Sequence, residues 1–243
     1  MNIINPYIDS EIIPPYSTKY FDLDGANEHF RINSNNALNS IIPGVGDFTM
    51  IFQIIKKVNT SREDLFGDIG SGYTIYPYMS FNNLKISLLM NGGSAYVMDM
   101  TSGNISTIGN KYWVAIRRDY ANAANNSIRI NGVEATISST ITNNLSIDAT
   151  PNTYCLGNGN GFYGEVGLIQ FHAIDKYCTN LELDSIFAGG VGQDPRNVLT
   201  GSENICSFGA SKASWDGSKY DVTTENGYVW NSLNVEQTDL KNL

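Results

Sequence analysis

Apolar and polar side chains alternate with period two over most of this chain, the pattern of strands that point successive residues to opposite faces of a sheet. The clearest stretch is residues 111–134: Lys-Tyr-Trp-Val-Ala-Ile-Arg-Arg-Asp, a polar Asn/Ala gap, then Ser-Ile-Arg-Ile-Asn-Gly-Val-Glu. Val114 and Ile116 share one face, while Trp113, Ala115 and Arg117 share the other. Ile128 and Ile130 repeat the alternation around Arg129. Asn131-Gly132 supplies the positive φ values of a tight hairpin turn, and Val133 resumes the strand. Residues 47–57 predict a strand apolar on both faces. Phe48, Met50, Phe52 and Ile54 point one way and Ile51 and Ile55 the other, which places this strand centrally with cover on both sides.

The same reading predicts strands over 19–23 and 28–32 around Asp24-Gly25, and over 64–69 and 73–80, split by Gly70-Ser71-Gly72. Residues 84–90 and 94–100 form a hairpin across Asn91-Gly92-Gly93, followed later by strands over 153–156 and 162–173. A last hairpin, 219–224 with 228–231, turns at Asn226-Gly227. One helix stands out. Thr179 is its N-cap, Glu182 closes a capping box three residues on, Leu183, Ile186 and Phe187 form its apolar side, and Gly189-Gly190 ends it. Many short strands joined by Gly and Asn turns predict an all-β fold, a two-sheet antiparallel β-sandwich with one short helix. No fixed-period repeat supports a solenoid or propeller.

The chain divides into an N-terminal arm (1–17), the sandwich (18–190) and a C-terminal extension packed on it (191–243). Pro6, Pro14 and Pro15 keep the arm extended. Its apolar strip of Ile3, Ile4, Tyr7, Ile8, Ile12, Ile13 and Tyr16 predicts docking on a neighbouring subunit or another protein. The alternative is an arm folded back on its own domain.

Several motifs in order resemble the laminin-G-like, or concanavalin A-like, lectin and glucanase sandwich, a jelly roll. They are Tyr20-Phe21-Asp22-Leu23-Asp24-Gly25-Ala26-Asn27-Glu28-His29-Phe30, the strand Asp47-Phe48-Thr49-Met50-Ile51-Phe52-Gln53-Ile54, and Trp113-Val114-Ala115 leading to Arg118-Asp119. Ile130-Asn131-Gly132-Val133, the loop Leu156-Gly157-Asn158-Gly159-Asn160-Gly161, and a Gly-led strand before the helix complete the series. The resemblance spans residues 19–190. Relatives often carry an acidic pair on the strand after the Gly loop, where this chain has Gly167-Leu168.

Charge narrows the partners. The 243 residues carry a net charge of −9 with no basic run, which argues against nucleic acid and against simple binding to anionic lipid. No stretch has the length and apolarity of a membrane span, and the N-terminus lacks the regions of a secretory signal, so no membrane insertion is expected. Cys155, Cys178 and Cys206 show no metal-binding spacing and are read as buried small apolar residues. The four Asn-x-Ser sequons, at Asn59, Asn104, Asn125 and Asn144, are read as chance.

Candidate chemistry is sparse. Retaining glycoside cleavage needs two carboxylates about 5 Å apart. The nearest match to the family's catalytic pattern, Glu182-Leu183-Asp184, falls on the predicted helix and lacks the second Glu. His29 and His172 suggest neither a metal site nor a triad, and the Gly157–Gly161 loop leads into a strand, unlike a phosphate cradle. The resemblance brings in calcium, with Asp22, Asp24, Asn27 and Glu28 as oxygen donors about one turn, although a solvated acidic turn is the simpler reading. Tyr73, Tyr76 and Tyr78 flank Pro77 and are the candidate sugar-stacking residues, against a plain packing role.

The resemblance implies, as an expectation, a non-catalytic bacteriophage virion protein (capsid decoration, head fibre or tail component), made in the host cytoplasm without a signal peptide. Its expected partners are other virion proteins, copies of itself and host-surface glycans. The alternatives are a polysaccharide-cleaving hydrolase or lyase, and a secreted adhesion lectin.

Overall fold

The structure is a computed structural model that describes residues 15–24, 28–32, 41, 46–57, 63–68, 78–82, 85–90, 96–99, 105, 107–135, 154–157, 165–224 and 228–243. Within these residues the long alternating stretches become the middle of one sheet. Its strands are β1 (Lys19–Leu23), β3 (Phe48–Lys56), β8 (Lys111–Arg118), β9 (Ser127–Ile130), β10 (Val133–Glu134), β12 (Val166–Ile174), β13 (Ile205–Gly209) and β17 (Leu240–Asn242). They run in the order β10-β9-β8-β3-β12-β1-β17, with β13 also paired to β12. The second sheet takes β2 (His29–Ile32), β4 (Glu63–Asp68), β5 (Tyr78–Asn82), β6 (Lys85–Met90), β7 (Tyr96–Asp99), β11 (Tyr154–Gly157), β14 (Ala213–Trp215), β15 (Tyr220–Thr223) and β16 (Val229–Leu233). Its order is β14-β15-β16-β2-β11-β4-β5-β6-β7. Every described pairing is antiparallel. The fold is the expected β-sandwich.

Aromatic rings join the sheets. Phe52 and Phe171 on the first sheet meet Phe66 on the second, and Phe66 stacks on Phe171 at 5.3 Å between centroids. Phe30 on the second sheet packs between Phe21 (4.6 Å) and Phe208 (4.8 Å) on the first. Trp230 presents itself edge-to-face to Phe171 and Phe208. Such pairs contribute about 0.5–1.5 kcal/mol each beyond the area they bury.

β3 and β8 are apolar on both faces because the first sheet is covered twice. Its outer face carries Ile51, Trp113, Ala115 and Ile174, packed against Cys178, Leu183, Ile186 and Leu199. Leu183 and Ile186 belong to helix α1 (Asn180–Phe187), which starts at the expected Thr179 capping box. Glu182 N donates to Thr179 Oγ1 at 3.3 Å, and Thr179 N donates to Glu182 Oε2 at 2.7 Å. The helix stops one residue before the predicted glycines, with Ala188 already left-handed at φ 46°. Two buried arginines hold α1 to the sheet. Arg117 Nη1 donates to Asn180 Oδ1 at 2.6 Å, and Arg129 Nη2 lies 2.8 Å from Asp184 Oδ1.

Residues 191–243 differ from the expected add-on. β13 and β17 extend the first sheet, and β14, β15 and β16 build one end of the second. β13 pairs along its whole length with β12, from Gln170↔Gly209 to Ile174↔Ile205. The sandwich therefore continues past residue 190. The weak pattern there has a cause: Ile-Cys-Ser-Phe-Gly is short and buried throughout, so it lacks the polar half of an alternation. The three cysteines are buried, as expected, and burial pushes the Cys178 thiol up to about 11.

Most of the arm lies outside the described residues. Its last part docks on its own domain. Tyr16 is buried, its N–H donates to Gly192 O at 2.8 Å, and its ring meets His172 edge-on at 4.7 Å. Among the described residues no helix is long and apolar enough to cross a membrane.

Candidate functional site

A concavity among the described residues opens at the end of the second sheet where β15 and β16 part. The strands pair through Asp221↔Asn231. Beyond that rung, Tyr220 N donates instead to Ser232 Oγ at 2.7 Å, and Asn234, left-handed at φ 58°, turns the chain away. The diverging segments frame a groove of about 890 Å³ lined by Arg31, Trp215, Ser218, Lys219, Asn231 and the 232–237 segment. That volume falls in the usual range of ligand clefts, about 300–1,000 Å³.

Strand parity decides which side chains reach the groove. Phe30 and Ile32 of β2 are buried in the core, so Arg31 between them points outward. Register then sets it in a row across the sheet: Arg31 opposite Asn231, Asn231 opposite Asp221, Asp221 opposite Ser214. Lys219 Nζ donates to Asp221 Oδ1 at 2.6 Å and to Asn231 Oδ1 at 2.8 Å, so its charge is already matched. Asp216 accepts the backbone N–H groups of Ser218 (2.8 Å) and Lys219 (2.9 Å), which fixes the turn at the groove mouth and holds its carboxyl below the usual range. Glu236 accepts from the Asp239 backbone in a capping box. The half-buried indole of Trp215 packs on Tyr220, with centroids 4.9 Å apart, and adds an aromatic wall.

A buried carboxyl, Glu28, feels the charge of Glu236 in the groove lining. Glu28 Oε2 accepts from Asp24 N at 2.7 Å. Burial is the main force pushing Glu28 up to about 7. The Asp24 N–H opposes that shift, and the charges of Asp239, Asp24 and Glu236 add to it.

The residues singled out from sequence do not gather here. Tyr73 and Tyr76 lie outside the described residues, and Tyr78 opens β5 with only its backbone described. Of the calcium candidates, Asp22 pairs with Lys57 at 3.0 Å, Asp24 is exposed on the turn, and Asn27 lies outside the described residues. Among the described residues no set of three His, Cys, Asp or Glu side chains is placed to hold a metal ion. Glu182 and Asp184 serve the helix cap and the Arg129 pair. His172 is buried, with Nδ1 2.9 Å from Ser207 Oγ. Sequence reading missed Arg31, Trp215, Lys219 and Asn231. The one available signal was Arg31, a lone cation in the alternating His-Phe-Arg-Ile strand.

No family model matches the chain, and no curated protein sequence matches it. Solved structures do. A candidate carbohydrate-binding protein from Bacteroides ovatus is 13% identical over 93% of this chain and 60% of its own, with a TM-score of 0.62. Botulinum neurotoxin type C, whose entrance into cells depends on interaction with two ganglioside molecules, is 12% identical over 76% of this chain and 44% of its own, at 0.55. The Ruminococcus gnavus IT-sialidase CBM40, bound to α2,3-sialyllactose, is 10% identical over 69% of this chain and 96% of its own, at 0.51. The chain thus spans 44% and 60% of two of these proteins. The fold is an antiparallel β-sandwich that these structures share. At these identities the likeness is one of fold.

Proposed function

We propose that this protein is a non-catalytic glycan-binding module and that the groove at the end of the second sheet is its binding site. The observation that carries the reading is the groove's lining. It sets one half-buried aromatic wall beside outward polar groups whose positions are fixed by sheet register and hydrogen bonds. A sugar ring offers an apolar C–H face and a rim of hydroxyls, and this lining offers a partner for each. Two of the structurally similar proteins are described as binding a sialylated sugar or gangliosides, and a third as a candidate carbohydrate binder, which supports the class of ligand. A glycan array tests it. Binding that Trp215→Ala or Asn231→Ala removes is expected, and a blank array, or binding indifferent to both changes, refutes it.

The narrower setting we propose is the virion of a tailed bacteriophage, with residues 1–14 seating the protein on another copy or on a neighbouring virion protein. Its support is the sequence resemblance and the apolar strip of the arm. Mass spectrometry of purified particles should find the chain. Its absence from particles would remove this setting and leave the glycan reading standing.

A further inference from the structure

We infer that the groove selects acidic glycans, with Arg31 as the residue that takes the sugar's carboxylate. The inference rests on the reading that the groove binds glycans and adds the chemical class. The chain has 24 acidic residues against 15 lysines and arginines, so a cation here has carboxylates to spare as partners. The described arginines use them or bury themselves. Arg117 meets Glu134, Arg129 meets Asp184, Arg196 meets Asp194, and the Arg118 guanidinium lies over Tyr120. Arg31 is the exception. Its side chain makes no ion pair or hydrogen bond to any described residue, although it stands in the same row as Asp221.

The acids near it are occupied. Asp221 is taken by Lys219, Asp216 by the backbone of its own turn, and Glu236 by its capping box. Among the described residues of the groove one guanidinium remains unmatched, pointing outward from the middle of a sheet beside Asn231 and in the same cleft as the Trp215 indole. A guanidinium presents a planar fork of donors that fits a carboxylate with two parallel hydrogen bonds, a geometry an ammonium cannot supply. Flanking β2 by β16 and β11 fixes the strand that carries the fork, which lowers the ordering cost of binding.

The experiment compares matched probes that differ in the acid group: trigalacturonate against its carboxyl-reduced trisaccharide, and 3′-sialyllactose against lactose, by calorimetry on the full chain. The acidic member of at least one pair is expected to bind about tenfold tighter or more, the order a charge-assisted pair supplies. Arg31→Gln should erase that difference, with the melting temperature unchanged. Arg31→Lys should restore only part of it. Equal binding of acidic and neutral members, or a preference that survives Arg31→Gln, overturns the inference. If either of those results comes with binding that Trp215→Ala still abolishes, the glycan reading stands alone. If neither these pairs nor a broad array gives binding, the glycan reading falls and the inference with it.

Discussion

The ring of Tyr16 occupies the space that a side chain on Gly209 would need. An ideal Cβ at Gly209 would lie 2.5 Å from Tyr16 Cε1, closer than a Cβ approaches in folded proteins, and a tight 3.0 Å from Cδ1. Gly209 has an ordinary extended backbone, φ −141°, so backbone conformation does not demand a glycine. The contact joins the end of the arm to β13. Gly209→Ala should therefore destabilise the protein by about 1–3 kcal/mol through overpacking. In a Tyr16→Ala background the same change should cost much less, because the obstructing ring is gone. Urea denaturation of the four proteins measures the coupling. Additive effects would show that the ring gives way freely and that this end of the arm is loosely held.

Helix α1 makes the second case. Thr179→Ala removes the acceptor for Glu182 N and the hydroxyl that donates to Glu182 Oε2. A lost cap of this kind costs about 0.5–2 kcal/mol. The helix covers Trp113 and Ile51, so the loss should appear in global unfolding and not merely as fraying at Thr179. Hydrogen exchange distinguishes the two. Loss of protection confined to residues 179–183, with an unchanged denaturation midpoint, would contradict the expected coupling.

What could be read from the sequence follows from how local each signal is. β3 and β8 were legible because each carries its apolar residues on both faces over a long run. The Asn131-Gly132 turn was legible because its chemistry sits in two adjacent residues, whose φ values are 50° and 80°. The Thr179 and Glu182 capping box is equally local. β13 and β17 were not legible. β13 earns its place only by pairing with a distant strand, and β17 offers three residues, Leu-Lys-Asn, that close the sheet against β1. The groove was hidden for the same reason. Arg31 and Asn231 come from opposite ends of the chain, and only the β2–β16 register makes them neighbours.

Glu28 gives the third prediction, and its sign follows from the direction of its shift. The folded protein holds the Glu28 proton up to about pH 7, whereas the ordinary carboxyl value is 4.5. Between those values the unfolded chain has released a proton that the folded chain keeps. Folding is therefore favoured least where both forms are ionised, and the contribution of Glu28 to stability falls as pH rises from about 4.5 to 7, then levels off. Fully expressed, the shift corresponds to about 3 kcal/mol, and relaxation around the charged carboxyl should reduce this to about 1–3 kcal/mol. Glu28→Gln stays neutral at every pH and keeps an oxygen to accept from Asp24 N, the bond seen at 2.7 Å. It also removes a charge from the group formed with Asp24, Glu236 and Asp239. The variant should match the parent near pH 4.5 and exceed it in stability above pH 7. Denaturant midpoints at pH 4.5, 6 and 8 provide the test. A variant that is less stable than the parent at pH 8 would mean that the charged carboxylate is held by favourable contacts, and the burial argument would be wrong.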